Sequence, residues 1–509
     1  MTTNNNEGRC ITMVNSACAV VGLVISILSV VIGIVILVVA PPLIHDITES
    51  SIILSNRGIG YGFWKDPPFP IYMQIWVWNL TNPDEVMKGS KPKIFQIGPY
   101  TYREYRPKTN ITFDSENNTV SYISPQTYIF QPDMSVGDPE LDNFTSINVP
   151  YITAVNQANF WGFFDRVGLQ VIAKMTDSTV FKSYSVHDFI WGYTDPLLVE
   201  LLKIKPKAVP TTFFGIFADR NGSHDGVYVV DTGKRNSSFT NIIQTFRGVR
   251  LLPYWSTDEC NMINGTDGTY NPPFLDKNLP GYVFSSDICR SIKSEFEKES
   301  ELQGITANRF VGPPSDFESP EVNPDNEGFC TPDNNHCLYG GLLNVSNCQK
   351  NAPVVMSLPH FLYTDPKVLD MIAEGLSPNK EEHETFFDIE PQTGAPLRIN
   401  KRLQINVHVK PYGRFLDWKK LPEIFLPTMW LNESSCIGDE HGSEFRWLTK
   451  YPRLISNIVA WGLIAIGLLA IVIGFVVYFV RVKKGSESQR PINDETEDSP
   501  SERTPLLND

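Results

Sequence analysis

The sequence predicts an α+β membrane protein in which one large domain, rich in antiparallel strands, is held between two transmembrane helices. Three observations predict it. Two charge-free apolar runs stand near the ends of the 509-residue chain, nine N-x-S/T sequons are confined to the stretch between them, and that stretch is built of short β-favouring runs punctuated by Pro or Gly. Long apolar runs read as bilayer spans, sequons mark a glycan-accessible compartment, and runs of that composition form half-buried strands.

Taken in order, residues 1–16 form a short cytosolic tail and 17–40, ACAVVGLVISILSVVIGIVILVVA, the first span. As a helix this run covers about 36 Å, enough to cross a bilayer. It far exceeds a signal-peptide core, and only Arg9 is basic before it, so an uncleaved anchor is expected. The second span is 454–480, LISNIVAWGLIAIGLLAIVIGFVVYFV, followed at once by Arg481, Lys483 and Lys484. Positive flanks stay cytosolic. Lys450 and Arg453 on the other flank weaken that signal, and the sequons decide it: Asn79, Asn110, Asn117, Asn143, Asn221, Asn236, Asn264, Asn344 and Asn432 all lie in 41–453. That region is the lumenal or extracellular domain, and 481–509 is a cytosolic tail.

A formal charge of −14 and the absence of any Lys/Arg block argue against nucleic acid as a partner. Six cysteines, Cys260, Cys289, Cys330, Cys337, Cys348 and Cys436, fall on the oxidising side, which points to disulfides; no C-x-x-C pair or H-E-x-x-H helix suggests a metal. No cofactor is expected, and neither a G-x-S-x-G elbow nor a phosphate-binding loop suggests an enzyme. Glu381, Glu382 and Glu384 read as a solvated charge run and His187 as a surface histidine.

Within 41–453 no linker, repeat or low-complexity tract marks a boundary, so one domain is expected. In RLQINVHVK, Leu403, Ile405, Val407 and Val409 alternate with polar residues, the pattern of a strand with one buried face. A large, mostly antiparallel sheet or barrel follows. The clearest helix is 154–175, AVNQANFWGFFDRVGLQVIAKM, where Phe160, Phe164, Val167, Val171 and Met175 recur at three- and four-residue steps. Packing onto the domain is the expected role of that stripe, and presentation to a ligand or partner the alternative. Trp161 stands beside it and Lys174 on the polar side.

Several stretches carry a closer likeness. IWVWNLTNPDEVMKGSKPKIFQIGPYTYREY, FIWGYTDP, CNMINGTDG, FSSDICRSI, NPDNEGFC, SLPHFLYTDP and EEHETFFDIEPQTG resemble the class B scavenger receptor family, in tail and cysteine pattern its lysosomal integral membrane protein branch. The resemblance implies a lumenal antiparallel β-barrel topped by a helical bundle, with an apolar tunnel running toward the membrane. It implies binding and transfer of lipids, whether fatty acid, sterol or phospholipid, and capture of lipoproteins or a lumenal hydrolase at the bundle. Ligand-binding residues would then be Phe160, Trp161, Phe164, Val167, Val171 and Lys174. It also implies disulfides Cys289–Cys348 and Cys330–Cys337. Some members pair the position of Cys260 with a cysteine two residues before Cys330; here Gly328 stands in that place. Met175 and Asp177 align with a lysine pair that captures anionic ligands elsewhere in the family, and Tyr184 with a histidine acid sensor of the lysosomal branch.

The chain ends on SERTPLLND, within a polar, acidic, proline-broken tail that should be extended. Glu502, Leu506 and Leu507 fit the acidic dileucine pattern that clathrin adaptors read. Late endosomes and lysosomes are the expected location, with the plasma membrane as the alternative.

Overall fold

A computed structural model describes residues 4–487 apart from 57, 210, 413, 414, 416 and 417, so the expected sorting residues Glu502, Leu506 and Leu507 lie outside the described residues. The chain divides into two compact units, Asp46–Lys450 and a smaller one that brings the two terminal helices together. Those helices are α1, Asn4–Ile52, and, at the other end, Tyr451–Glu487. Ala17–Ile52 and Tyr451–Lys484 are long and apolar enough to cross a membrane. The first helix does not stop at Ala40 as expected but runs through Pro41 and Pro42. Proline removes a backbone donor, yet its fixed φ is itself helical.

The two spans meet through small residues. A Cβ on Gly33 would come within 2.7 Å of the Ala460 carbonyl, and one on Gly467 within 2.7 Å of the Ser26 carbonyl. Between these points the Ser29 hydroxyl donates to the Leu463 carbonyl at 2.9 Å. Close approach of this kind supplies van der Waals attraction where lipid offers no hydrophobic drive.

The large unit is built on one antiparallel sheet. Its main strands are β1 (Ile71–Leu80), β2 (Ile94–Tyr105), β3 (Thr127–Phe130), β4 (Gly281–Ser285), β5 (Arg290–Leu302), β6 (Ile305–Val311), β7 (Phe386–Ile389), β8 (Pro396–Val409) and β9 (Ile424–Cys436). They pair in the order β4-β5-β6-β7-β8-β9-β1-β2-β3. This is an up-and-down meander cut between β3 and β4, the two strands between which the chain makes its longest insertion. The expected closed barrel is therefore corrected: among the described residues the hydrogen-bonded path is open. The strand predicted around Leu403 is present, but its polar face is buried too. Gln404 and Asn406 are fully enclosed. Gln404 accepts from the Trp78 indole at 3.3 Å and the His360 amide at 2.9 Å, and Asn406 donates to the Val355 carbonyl at 3.0 Å. Val354–Ser357 pairs antiparallel with β8 as a further strand of the sheet, and the His360 turn that follows packs on Gln404, a burial that alternation alone does not reveal.

The expected single helix over 154–175 is also corrected. Two helices replace it, α2 (Val149–Ala158) and α3 (Phe163–Met175), followed by α4 (Pro196–Ile204), and the three pack on one another. Asn148 caps α2 by accepting from the Tyr151 amide, and Asp195 caps α4 by accepting from the Leu198 amide. The break falls at Gly162, which precedes α3 in an extended conformation.

Cys289 is bonded to Cys348 and Cys330 to Cys337; Cys260 and Cys436 are free thiols. Among the sequons, Asn110, Asn117, Asn143, Asn221 and Asn236 are exposed, and Asn79, Asn264 and Asn344 are half-buried. Asn432 is only 8% exposed and its amide nitrogen donates to Gln74 across the strand pair. Glu384 leaves the expected solvated run: it is buried and accepts from the Tyr363 hydroxyl at 2.7 Å.

A Cβ on Gly328 would lie 2.6 Å from the Cys260 sulfur, a separation from which a second sulfur can reach bonding distance with a small shift. Gly328→Cys is therefore expected to form a new bridge to Cys260. Non-reducing peptide mapping checks it; two free thiols at these positions would show that the backbone here cannot make that shift.

A candidate ligand cavity and an exposed apolar helix face

A cavity of about 420 Å³ opens between the helices and the sheet. Val149 and Ala154 of α2 and Leu198 and Leu201 of α4 form one side, and Met73, Ile405 and Leu431 of the sheet the other. The sheet contributes apolar residues here because β1, β8 and β9 lie side by side, so the alternate side chains of each fall on one surface. Trp161 stands on the cavity wall, half-buried, with the Lys205 ammonium 5.5 Å from its ring. A second cavity of about 90 Å³ shares Leu403 with the first and is lined by Lys401.

Charge is concentrated at the sheet end. Arg106, Arg220, Asp287 and Glu433 all line the larger cavity. Arg106 bonds Glu104 through Nε at 2.7 Å and reaches Glu433 at 2.9 Å. Lys401 bridges Asp287 at 2.7 Å and Glu433 at 3.4 Å, and Arg220 holds the other oxygen of Asp287 at 2.9 Å. Three cations and three carboxylates thus balance. Burial acts to raise the carboxyl of Asp287, but Lys401 and Arg220 outweigh it and hold it below the usual range; Arg106 and Lys401 do the same for Glu433. Glu104 is the exception. It is 2% exposed, one of its oxygens has no hydrogen-bond partner, and burial outweighs Arg106 to push it up to about 7.

The apolar stripe of α3 does not pack. Phe160 just before it is 87% exposed, Phe164 86% and Met175 74%, and Phe163, Val167 and Val171 are exposed as well. Leu169, Ile172 and Ala173 form the buried face instead. Both faces carry apolar residues at helical spacing, so periodicity alone could not tell which one turns inward. Of the six ligand-binding residues expected, the structure places Phe160, Phe164, Val167, Val171 and Lys174 at the surface and only Trp161 at the cavity. Tyr184 is buried against Phe144, Phe189 and Tyr193, and Lys182 is committed to Asp195 and the Tyr193 hydroxyl. The charged set of the cavity was missed in the sequence. A signal was present, since Lys401 and Glu433 interrupt strands that otherwise read as core.

Two terminal spans and a sheet domain enclosing a largely apolar cavity define a two-span α+β membrane protein of receptor type. The chain belongs to the CD36 family, whose model matches residues 23–478. Human (Homo sapiens) "Lysosome membrane protein 2" is 39% identical over 411 residues, covering 81% of this chain and 84% of that protein. The mouse (Mus musculus) protein of the same name is 38% identical over the same shares. "Scavenger receptor class B member 1" of Bos taurus is 32% identical over 485 residues, 92% of each chain.

The folded protein keeps the Glu104 proton up to about pH 7, whereas an unfolded chain releases it near 4.5. This residue's contribution to stability is thus present at acid pH and falls as pH rises through that window, by roughly 3 kcal/mol in all. Glu104→Gln, which stays neutral, is expected to match the native protein near pH 4.5 and to exceed it by an amount of that order at pH 8. Unfolding of both proteins at the two pH values checks this, and a difference independent of pH would contradict the assignment.

Proposed function

We propose that this protein is a lipid-handling receptor of the late endosome and lysosome membrane, with both termini cytosolic. Lipid leaves a lumenal ligand docked at the exposed face of α3, occupies the cavity and passes through an apolar tunnel to the membrane. The cavity carries this reading. An exposed methylene costs about 0.8 kcal/mol, so an apolar wall lowers the barrier to moving an acyl chain or sterol through water. Leu403, shared by the two cavities, supports a continuing path beyond the charged set. Fatty acids, sterols and phospholipids are the candidate cargo.

The location rests on two supports. The relatives above include a lysosome membrane protein, and Glu502, Leu506 and Leu507 form an acidic dileucine pattern for clathrin adaptors. A second reading, a sorting receptor for a lumenal hydrolase, is favoured by the α3 face, where contiguous exposed apolar side chains mark an interaction surface. Cell-surface uptake of lipoproteins or fatty acids is the alternative if the tail carries no address.

Gln157 is half-buried on α2 and lines the cavity. Gln157→Trp is expected to weaken binding of fluorescent fatty acid and sterol analogues to the purified protein about tenfold or more, some 1.4 kcal/mol, with the melting temperature kept. Unchanged binding would remove the cavity from the proposal. Independently, the Leu506→Ala, Leu507→Ala double variant is expected to move from lysosomes to the cell surface by microscopy; if the native protein is also at the surface, the lysosomal location fails.

A further inference from the structure

On a different part of the large unit, a groove of about 810 Å³ has an aromatic floor. Trp191 is its centre, with ring centroids 5.0 Å from Tyr102, 5.2 Å from Tyr128 and 6.3 Å from Phe217; Phe130 stands 5.4 Å from Tyr102. Trp191, Phe130 and Phe217 are only half-buried, which leaves aromatic surface open to the groove. Asp138, Glu140 and Asp219 line it and are exposed, and among the described residues of its wall there is no lysine or arginine. The cavity described above adjoins it and shares Tyr128, Phe217 and Asp219, but its six-residue ion set does not line the groove.

Asn221, the asparagine of an N-G-S sequon, is a lining residue of the same groove and is exposed. Its position is held firmly. The carboxamide oxygen accepts from the Tyr128 amide at 3.1 Å, the Gly222 amide donates to the Gln126 carbonyl at 2.7 Å, and the Gln126 amide donates to the Ser223 carbonyl at 2.8 Å. Gly222 sits at φ +77°, where a glycine turns the chain without strain. The attachment nitrogen is thereby fixed at the groove rather than swung on a loose loop.

We infer that Asn221 carries an N-linked glycan and that the groove seats the base of that glycan. The chemistry of the walls fits. The C–H face of a pyranose ring is electron-poor and stacks on the negative face of an aromatic ring. Its hydroxyl and N-acetyl N–H groups donate to carboxylates, and bonds to an ionised acceptor are the stronger kind. Three carboxylates with no lysine or arginine, and His187 as the one basic side chain among the described lining residues, disfavour an anionic ligand, and the volume falls in the range, about 300–1,000 Å³, of small-molecule sites. In the modification, the asparagine amide nitrogen bonds to the anomeric carbon of a pyrophosphate-linked lipid oligosaccharide, the carbon–oxygen bond to the pyrophosphate breaks, and the amide proton is lost.

A seated glycan is shielded from trimming enzymes. Site-resolved glycopeptide mass spectrometry on the full-length protein from cultured animal cells should find Asn221 occupied and oligomannose, while the exposed Asn110 and Asn236 carry processed chains. Under native conditions endoglycosidase H should leave the Asn221 glycan intact, and denaturation should release it. Phe130→Ala should convert Asn221 to a processed chain. Asp219→Asn, at an exposed position that leaves the core untouched, should raise the processed fraction even if Phe130→Ala fails to fold. An unmodified Asn221, one processed like Asn110 and Asn236, or an oligomannose chain that endoglycosidase H removes from the native protein overturns the inference; an empty groove would then point to an organic cation as its ligand.

Discussion

The large unit is organised around six ionisable side chains gathered at one half-buried point of the sheet, with Glu104 alone fully enclosed. Glu104 and Arg106 come from the end of β2, Lys401 from β8, Glu433 from β9, Asp287 from the turn before β5 and Arg220 from the insertion. Their links tie the two halves of the meander, and the insertion, to one point. Removing one ionised member of the set leaves the opposite charge without its partner in a half-buried site; Glu104, which keeps its proton up to about pH 7, is the exception. The polar side chains on the cavity wall are largely engaged with one another, which leaves the rest of the lining apolar.

This arrangement also explains why the helices are free to expose what they do. Leu169, Ile172 and Ala173 are sufficient to seat α3 on its neighbours, and α2 and α4 present Ala154, Leu198 and Leu201 to the cavity. The outer side of α3 is left with no structural task. Its phenylalanines, valines and methionine form a contiguous exposed apolar patch of a kind uncommon on solvated monomers.

The fold was legible wherever a residue pattern has only one physical reading. Two charge-free runs of bilayer length, the alternation around Leu403 and the proline and glycine punctuation each had one, and they led to the spans and the sheet. The open end between β3 and β4 was not legible, since strand pairing is set by partners far away in the chain. Nor was the direction of α3, because Leu169 and Ile172 compete with Phe164 and Val171 for the inward face. The cavity charges were visible only as interruptions. A lysine at the start of LQINVHV or a glutamate after MWLN tells nothing of its partner until β8 and β9 are aligned, with Lys401 opposite Glu433.

The strand order has a bearing on how the molecule is made. β1 pairs along its length with β9, Ile71 opposite Ser435, so the first strand of the domain waits for the last. As the chain emerges, β1 and β2 can form a hairpin, but the flank of β1 offers unpaired amides and carbonyls until nearly the whole domain has been synthesised. Such distant pairing closes slowly and leaves an exposed edge that invites wrong partners. The strand that completes the sheet is among the last parts of the chain to be made, followed only by the short helix Asp439–Thr449 before the second span begins at Tyr451.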